Sequence, residues 1–111
     1  MAELHNQLKK GTLSIIILKL ISQRDMYGYE IIQLLEEISY GYYKLKEGTL
    51  YPVLYRLEDS GAIESYSMIP EGERRIPRKY YKITAHGIEI YKNQIHIWKN
   101  YCEITNKILD I

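Results

Sequence analysis

The hydrophobic period of the chain changes abruptly near its middle, and that change constrains the fold more than any other feature. Over residues 46–61, Leu50, Val53, Leu54 and Leu57 recur at three- and four-residue steps, the spacing of one helix face. At Ser60-Gly61 the period stops. Ala62-Ile63-Glu64-Ser65-Tyr66 and Tyr80-Tyr81-Lys82-Ile83 alternate apolar and polar residues instead, as strands do. Pro70, Gly72 and Pro77 break the chain between them. A short amphipathic helix followed at once by a β-hairpin is therefore predicted. Arg74, Arg75, Arg78 and Lys79 crowd into six positions at the hairpin's tip and return strand, with no acid among them.

On the helix, Gly48, Pro52, Tyr55 and Asp59 fall opposite the apolar stripe, with Thr49, Tyr51 and Arg56 on its flanks. Pro52 is expected in the first turn, where a missing N–H costs little. Gly61 suits the left-handed position beyond the helix end. Small residues at the helix start permit close approach to a groove floor or a phosphate. A helix of this kind followed by a basic hairpin is what a winged helix-turn-helix needs. The helix enters the major groove and the hairpin lies on the neighbouring backbone. Gly48, Thr49, Tyr51, Pro52, Tyr55 and Arg56 are then the expected reading face, and Arg74, Arg75, Arg78 and Lys79 the expected phosphate contacts. The bland alternatives are an ordinary surface helix and a solvated charged loop.

Glu47-Gly48-Thr49-Leu50-Tyr51-Pro52-Val53-Leu54-Tyr55-Arg56-Leu57-Glu58, then Gly61, then Arg78-Lys79-Tyr80-Tyr81-Lys82-Ile83-Thr84-Ala85-His86-Gly87, resembles the PadR family of bacterial transcriptional regulators. Tyr27-Gly28-Tyr29-Glu30 upstream resembles it too. The likeness runs over nearly the whole chain, and the three motifs are specific in combination rather than singly. It implies repression of transcription through double-stranded DNA. It also implies a C-terminal dimerisation helix and, since this chain stops just after that helix, the short PadR-like subtype. Some PadR-like regulators bind aromatic compounds near the dimer helices.

The rest of the chain fits a mainly α protein with a two-stranded β-wing. Its 111 residues suffice for one modest core, divided as a DNA-binding part, 1–83, and a dimerisation helix, 84–111. The net charge of +1 means that any electrostatic footprint is local. Residues 3–23 form a first helix, apolar on more than one side, with Lys9 and Lys10 near its start as a pair expected to be solvated, contact with a nucleic-acid backbone being the alternative. A second helix opens at Tyr27-Gly28-Tyr29-Glu30 and buries Ile31, Ile32, Leu34, Leu35 and Ile38. Residues 39–46 are the turn to the reading helix. Tyr27 or Tyr29 is expected either to bond a phosphate at the start of the second helix or to cap the core.

From Thr84, an N-cap candidate, a long helix follows. Ile88, Tyr91, Ile95, Trp98, Cys102, Thr105 and Leu109 form one row along it, and Ile97, Tyr101, Ile104, Ile108 and Ile111 a second, about 120° away. So wide an apolar surface calls for a second copy of the chain. Ile88, Tyr91, Ile95, Trp98, Tyr101, Cys102, Ile104, Thr105, Ile108 and Leu109 are the expected dimer contacts. Tyr91, Ile95, Trp98 and Cys102 are also a candidate pocket for a flat aromatic effector, with plain interface packing as the alternative. The operator expected is an inverted repeat.

Other chemistry is not indicated. Cys102 is the only cysteine, so no disulfide forms within the chain, which fits a reducing cytoplasm. The apolar run Leu13–Ile21 is too short to span a bilayer. The histidines and Cys102 lack metal-ligand spacing, and no cofactor loop or catalytic constellation appears. An enzyme is not expected. The rival function is a winged-helix protein–protein interaction module, favoured by the low net charge and by Glu36, Glu37, Glu58 and Asp59.

Overall fold

The structure, a computed structural model, describes residues 2–72 and 76–111. In chain order it contains α1 (Ala2–Gln23), β1 (Met26–Tyr27), α2 (Gly28–Ile38), α3 (Glu47–Asp59), β2 (Ile63–Met68), β3 (Arg78–Ile83) and α4 (Ala85–Leu109). The expected winged helix-turn-helix is present. The hairpin is joined by a third strand that sequence reasoning did not anticipate. Met26 pairs with Tyr81 and Tyr27 with Tyr80, so the antiparallel order is β1-β3-β2. Two residues carry too little alternation to register as a strand in sequence. Only the return strand of the wing, arriving beside them, gives their backbone groups partners.

The core gathers Leu13, Ile17, Leu18, Leu20 and Ile21 of α1 with Ile31 and Leu35 of α2 and the whole apolar stripe of α3. Met26, Ile63 and Tyr81 close it from the inner face of the sheet. Helix α1 buries two sides at once and shows almost no segregation of polar from apolar residues over its length. Ile38, expected inside, is exposed because α2 ends there and the chain turns away.

The joints explain the spacing of the elements. At the end of α3, Gly61 has φ +80°, Ala62 N–H donates to Leu57 O at 3.0 Å and Gly61 N–H to Glu58 O at 3.0 Å. That paired return closes the helix and turns the chain into β2. Thr84 then locks α4 onto this corner. Its hydroxyl donates to Gly61 O at 2.6 Å and accepts from Gly87 N–H at 2.9 Å, and its own N–H donates to Ala62 O at 3.1 Å. Gly87 is buried against the Ala62 carbonyl, so closely that a β-carbon there would collide with it.

Pro52 is not in the first turn. Helix α3 begins at Glu47, which makes Pro52 its sixth residue. The helix runs through it without the hydrogen bond that residue 52 would otherwise give to the Gly48 carbonyl. Because this happens on the outer face, water can serve that carbonyl, and the core stripe is undisturbed.

Candidate nucleic-acid interface

Burying Leu50, Val53, Leu54 and Leu57 turns the opposite side of α3 outward. Gly48, Thr49, Pro52, Tyr55, Arg56 and Asp59 are all exposed there. Five of the six residues expected to form the reading face are thus brought together on one open surface. Tyr51 is the exception. Its phenol lies over Gly28, in the place a side chain at residue 28 would take, and it is half-buried. Burial, with smaller contributions from Glu47 and Tyr55, raises its pKa above the usual 10.0. Tyr51 therefore ties α3 to the start of α2, and Gly28 is what makes room for it.

The flank of α3 nearer the wing is braced by polar contacts. Ser65 Oγ donates to Glu58 Oε2 at 2.6 Å, and Lys79 Nζ lies 3.9 Å from Glu58 Oε1. The same ammonium sits 5.8 Å from the Tyr55 ring centroid. Lys79, expected on a phosphate, thus already has a carboxylate neighbour. The pair is well exposed, and such a pair contributes little, so the ammonium can exchange it for another anion.

On the outer face of the sheet, Tyr66 stacks on Tyr80 at 5.7 Å, and Tyr80 meets Tyr27 edge-on at 5.4 Å. The Arg78 guanidinium lies 4.4 Å from the Tyr27 ring centroid. Tyr66 donates to Asp25 Oδ2 at 2.6 Å, a bond that pushes its pKa up to about 12. The ladder spans all three strands, so Tyr27 couples the start of α2 to the wing. Tyr29 remains exposed and accepts from Gln33 Nε2 at 2.9 Å. Glu30 takes the N-terminal role on α2, accepting from Tyr27 N–H at 3.2 Å and from Arg24 at 2.8 Å. Arg74 and Arg75, the other two expected phosphate contacts, lie outside the described residues.

The other flank of α3 holds two residues that sequence reasoning missed, Lys44 and Lys46. Lys44 and Lys46 in the turn, with Lys9 and Lys10 of α1 and Arg56 of α3, line one cleft of about 870 Å³. Sequence alone leaves Lys9 and Lys10 between a solvated pair and a backbone contact, with solvation favoured. Lys44-Leu45-Lys46 sits immediately before the reading helix, which was the available signal. The packing of α1 against the turn, 35 residues away, was not readable.

Helix α4 splits its two apolar rows. Tyr91 packs on the core, and Tyr91, Ile95 and Trp98 line an apolar recess of about 460 Å³ with Ile15, Ile16 and Leu20 of α1 and Leu35 and Ile38 of α2. Cys102 is half-buried but does not line it, because the recess ends one turn earlier. Trp98 stacks on Tyr101 at 6.0 Å. The second row is bare: Ile97, Tyr101, Ile104, Ile108 and Ile111 are exposed by 50% or more, as is Leu4 of α1. Of the first row, Ile88, Trp98 and Leu109 are exposed too, Trp98 the least of the three at 39%. Among the described residues no helix is long and apolar enough to cross a membrane.

Comparison with known proteins places this geometry. Residues 17–93 match the family described as Transcriptional regulator PadR-like. A transcriptional regulator from Clostridium thermocellum superposes with a TM-score of 0.81 at 38% identity, covering 91% of this chain and 93% of that one. A PadR-like transcriptional regulator from Bacillus cereus gives a TM-score of 0.78 at 33% identity, covering 93% and 96%. An uncharacterised protein from Lysinibacillus sphaericus is 36% identical over 102 residues, 91% of each chain.

Proposed function

Since the chain belongs to the PadR-like family of transcriptional regulators, we propose that it represses transcription by binding an inverted-repeat site in double-stranded DNA as a homodimer. The observation that carries this reading is the open face of α3, where Gly48, Thr49, Pro52, Tyr55 and Arg56 stand exposed beside the wing. Thr49, Tyr55 and Arg56 supply donors and acceptors for base edges, and Gly48 and Pro52 keep the helix start slim enough to approach them. Arg78 and Lys79 hold the backbone next to it, together with Arg74 and Arg75.

The bare second row of α4 supports the dimer. Large apolar side chains exposed in a contiguous line are costly in water, and a two-fold copy of the same line covers them. The recess at Tyr91, Ile95 and Trp98 supports a flat apolar effector. It opens between α1, α2 and α4, so filling it bears on how α4 meets its partner and hence on the spacing of the two reading heads. An effector shifts DNA affinity only as far as it prefers one of those spacings.

The test is selection from a random duplex pool, followed by binding measurements across a salt series. The expected outcome is an inverted repeat with half-site centres roughly 10 bp, or a multiple, apart. Thr49→Ala and Tyr55→Ala should change the preferred sequence. Arg78→Gln with Lys79→Gln should weaken binding to all sequences alike and flatten its salt dependence. A protein that enriches no sequence and binds no duplex in low salt would be the protein–protein interaction module instead.

A further inference from the structure

We propose that the cleft beside α3 on the side away from the wing is a second seat for the DNA backbone, so that each subunit grips phosphates on both flanks of its reading helix. The proposal rests on the DNA-binding reading above and adds a site to it.

The cleft is cationic by construction. Lys9, Lys10, Lys44, Lys46 and Arg56 line it, with the hydroxyl-bearing side chains of Tyr42, Tyr43 and Thr49, and no carboxylate does. The whole chain carries a net charge of only +1, so five positive side chains in one concavity are a concentrated field. Among the described residues none of the five has a carboxylate within ion-pair distance, unlike Arg24 and Lys79. An anion seated in the cleft relieves their mutual repulsion.

The walls are held in place before any ligand arrives. The Lys9 ammonium lies 4.2 Å from the centroid of the Tyr42 ring. Tyr42 is fixed in turn by a 2.7 Å hydrogen bond to His5 Nδ1, and Tyr43 by a 3.1 Å bond to Thr12 Oγ1. The residue preceding α3, Lys46, gives no side-chain cap, so no side chain occupies the helix's first N–H groups. Gly48 lines the cleft, and a β-carbon there would meet nothing within 4 Å, which leaves that end open to an approaching chain.

Geometry favours duplex DNA over a free phosphate ester. An α-helix with its side chains is about 10–12 Å across, and the major groove is about 12 Å wide. A helix that fills the groove meets the backbone of both strands, one on each flank. The wing serves the flank of Tyr55 and Glu58, and the cleft lies on the flank of Thr49 and Arg56. Reading helix and cleft share Thr49, Pro52 and Arg56, so whatever occupies the cleft lies directly beside the groove-facing residues.

The experiment uses the full chain and a duplex of about 30 bp followed by fluorescence anisotropy over a salt series. Lys44→Gln/Lys46→Gln and Lys9→Gln/Lys10→Gln are compared with the wing pair Arg78→Gln/Lys79→Gln and with Lys99→Gln/Lys107→Gln on α4, each checked for an unchanged thermal transition. Each lost phosphate contact should reduce the logarithmic salt slope by roughly 0.9, hence by roughly 3 to 4 for a pair lost from two subunits, with at least about tenfold weaker binding at physiological salt. The α4 pair should match wild type. Cleft variants with wild-type slope, beside a wing variant that loses slope, would overturn the cleft and leave the DNA reading intact. A wild-type protein that binds no duplex would overturn both. Titration calorimetry with ATP and with inorganic pyrophosphate in the absence of DNA separates the other source of phosphate. Tight binding lost in Lys44→Gln/Lys46→Gln, with the DNA salt slope unchanged, would assign the cleft to a small ligand and overturn the proposal.

Discussion

Replacing Tyr81 by Phe should stabilise the protein and remove part of its sensitivity to alkali. Tyr81 is 1% exposed, on the inner face of β3, and its hydroxyl has no hydrogen-bond partner among the described residues. A buried, unpaired hydroxyl carries a desolvation penalty of about 1–3 kcal/mol. Deleting the oxygen leaves a void of roughly 10 Å³, which costs about 0.2 kcal/mol at about 24 cal/mol per Å³. The balance favours Tyr81→Phe by about 1 kcal/mol or more, a rise of about 4 °C in Tm for a domain near this size.

The pH dependence follows from the same burial, which pushes the Tyr81 pKa from 10.0 up to about 12. A proton held more tightly in the folded state stabilises it fully below pH 10, and that contribution fades as pH rises towards 12. At about 1.4 kcal/mol per unit, the contribution lost is about 2–3 kcal/mol. Tyr66 titrates in the same window through its bond to Asp25. The informative quantity is therefore the difference between wild type and variant, measured by urea unfolding from pH 8 to 11.5 at one protein concentration. The variant should be more stable at pH 8, and its advantage should widen above pH 10. A loss of about 1 kcal/mol at pH 8 would show that the hydroxyl is satisfied in solution, and the reasoning would fall.

Gly87→Ala sets helix propensity, about 1 kcal/mol in favour of Ala, against a β-carbon that collides with the Ala62 carbonyl and comes within 2.8 Å of Ile83 Cγ1. Backbone cannot swing aside as a side chain can, so a net loss of about 2 kcal/mol is expected by denaturant titration; an unchanged midpoint would mean that α4 slides freely on the sheet. Ile104→Glu with Ile108→Glu places two charges in the proposed interface and should give a monomer by light scattering, whereas an unchanged dimer would move the interface elsewhere.

Much of this molecule was legible in one dimension. The stripe Leu50–Leu57, the stop at Gly61, the N-cap at Thr84 and the alternation through Tyr81 are all local patterns. A three- or four-residue period, a left-handed turn and a capping hydroxyl each act within one helical turn, so sequence alone determines them. The exposed second row of α4 was legible for the same reason. What tertiary structure decided depends on residues far apart in the chain. Met26–Tyr27 became a strand only because β3 arrived beside it. Tyr51 left the reading face because Gly28, lacking a side chain, leaves room for its phenol. Lys79 met Glu58 only once the wing folded back on α3, and Pro52 proved interior only once the helix began at Glu47. Lys9 and Lys10 reached Lys44, Lys46 and Arg56 through the packing of α1 against the turn. Periodicity assigns a side chain to a face of its own element, but which other faces come within a few ångströms is fixed only when the whole core closes.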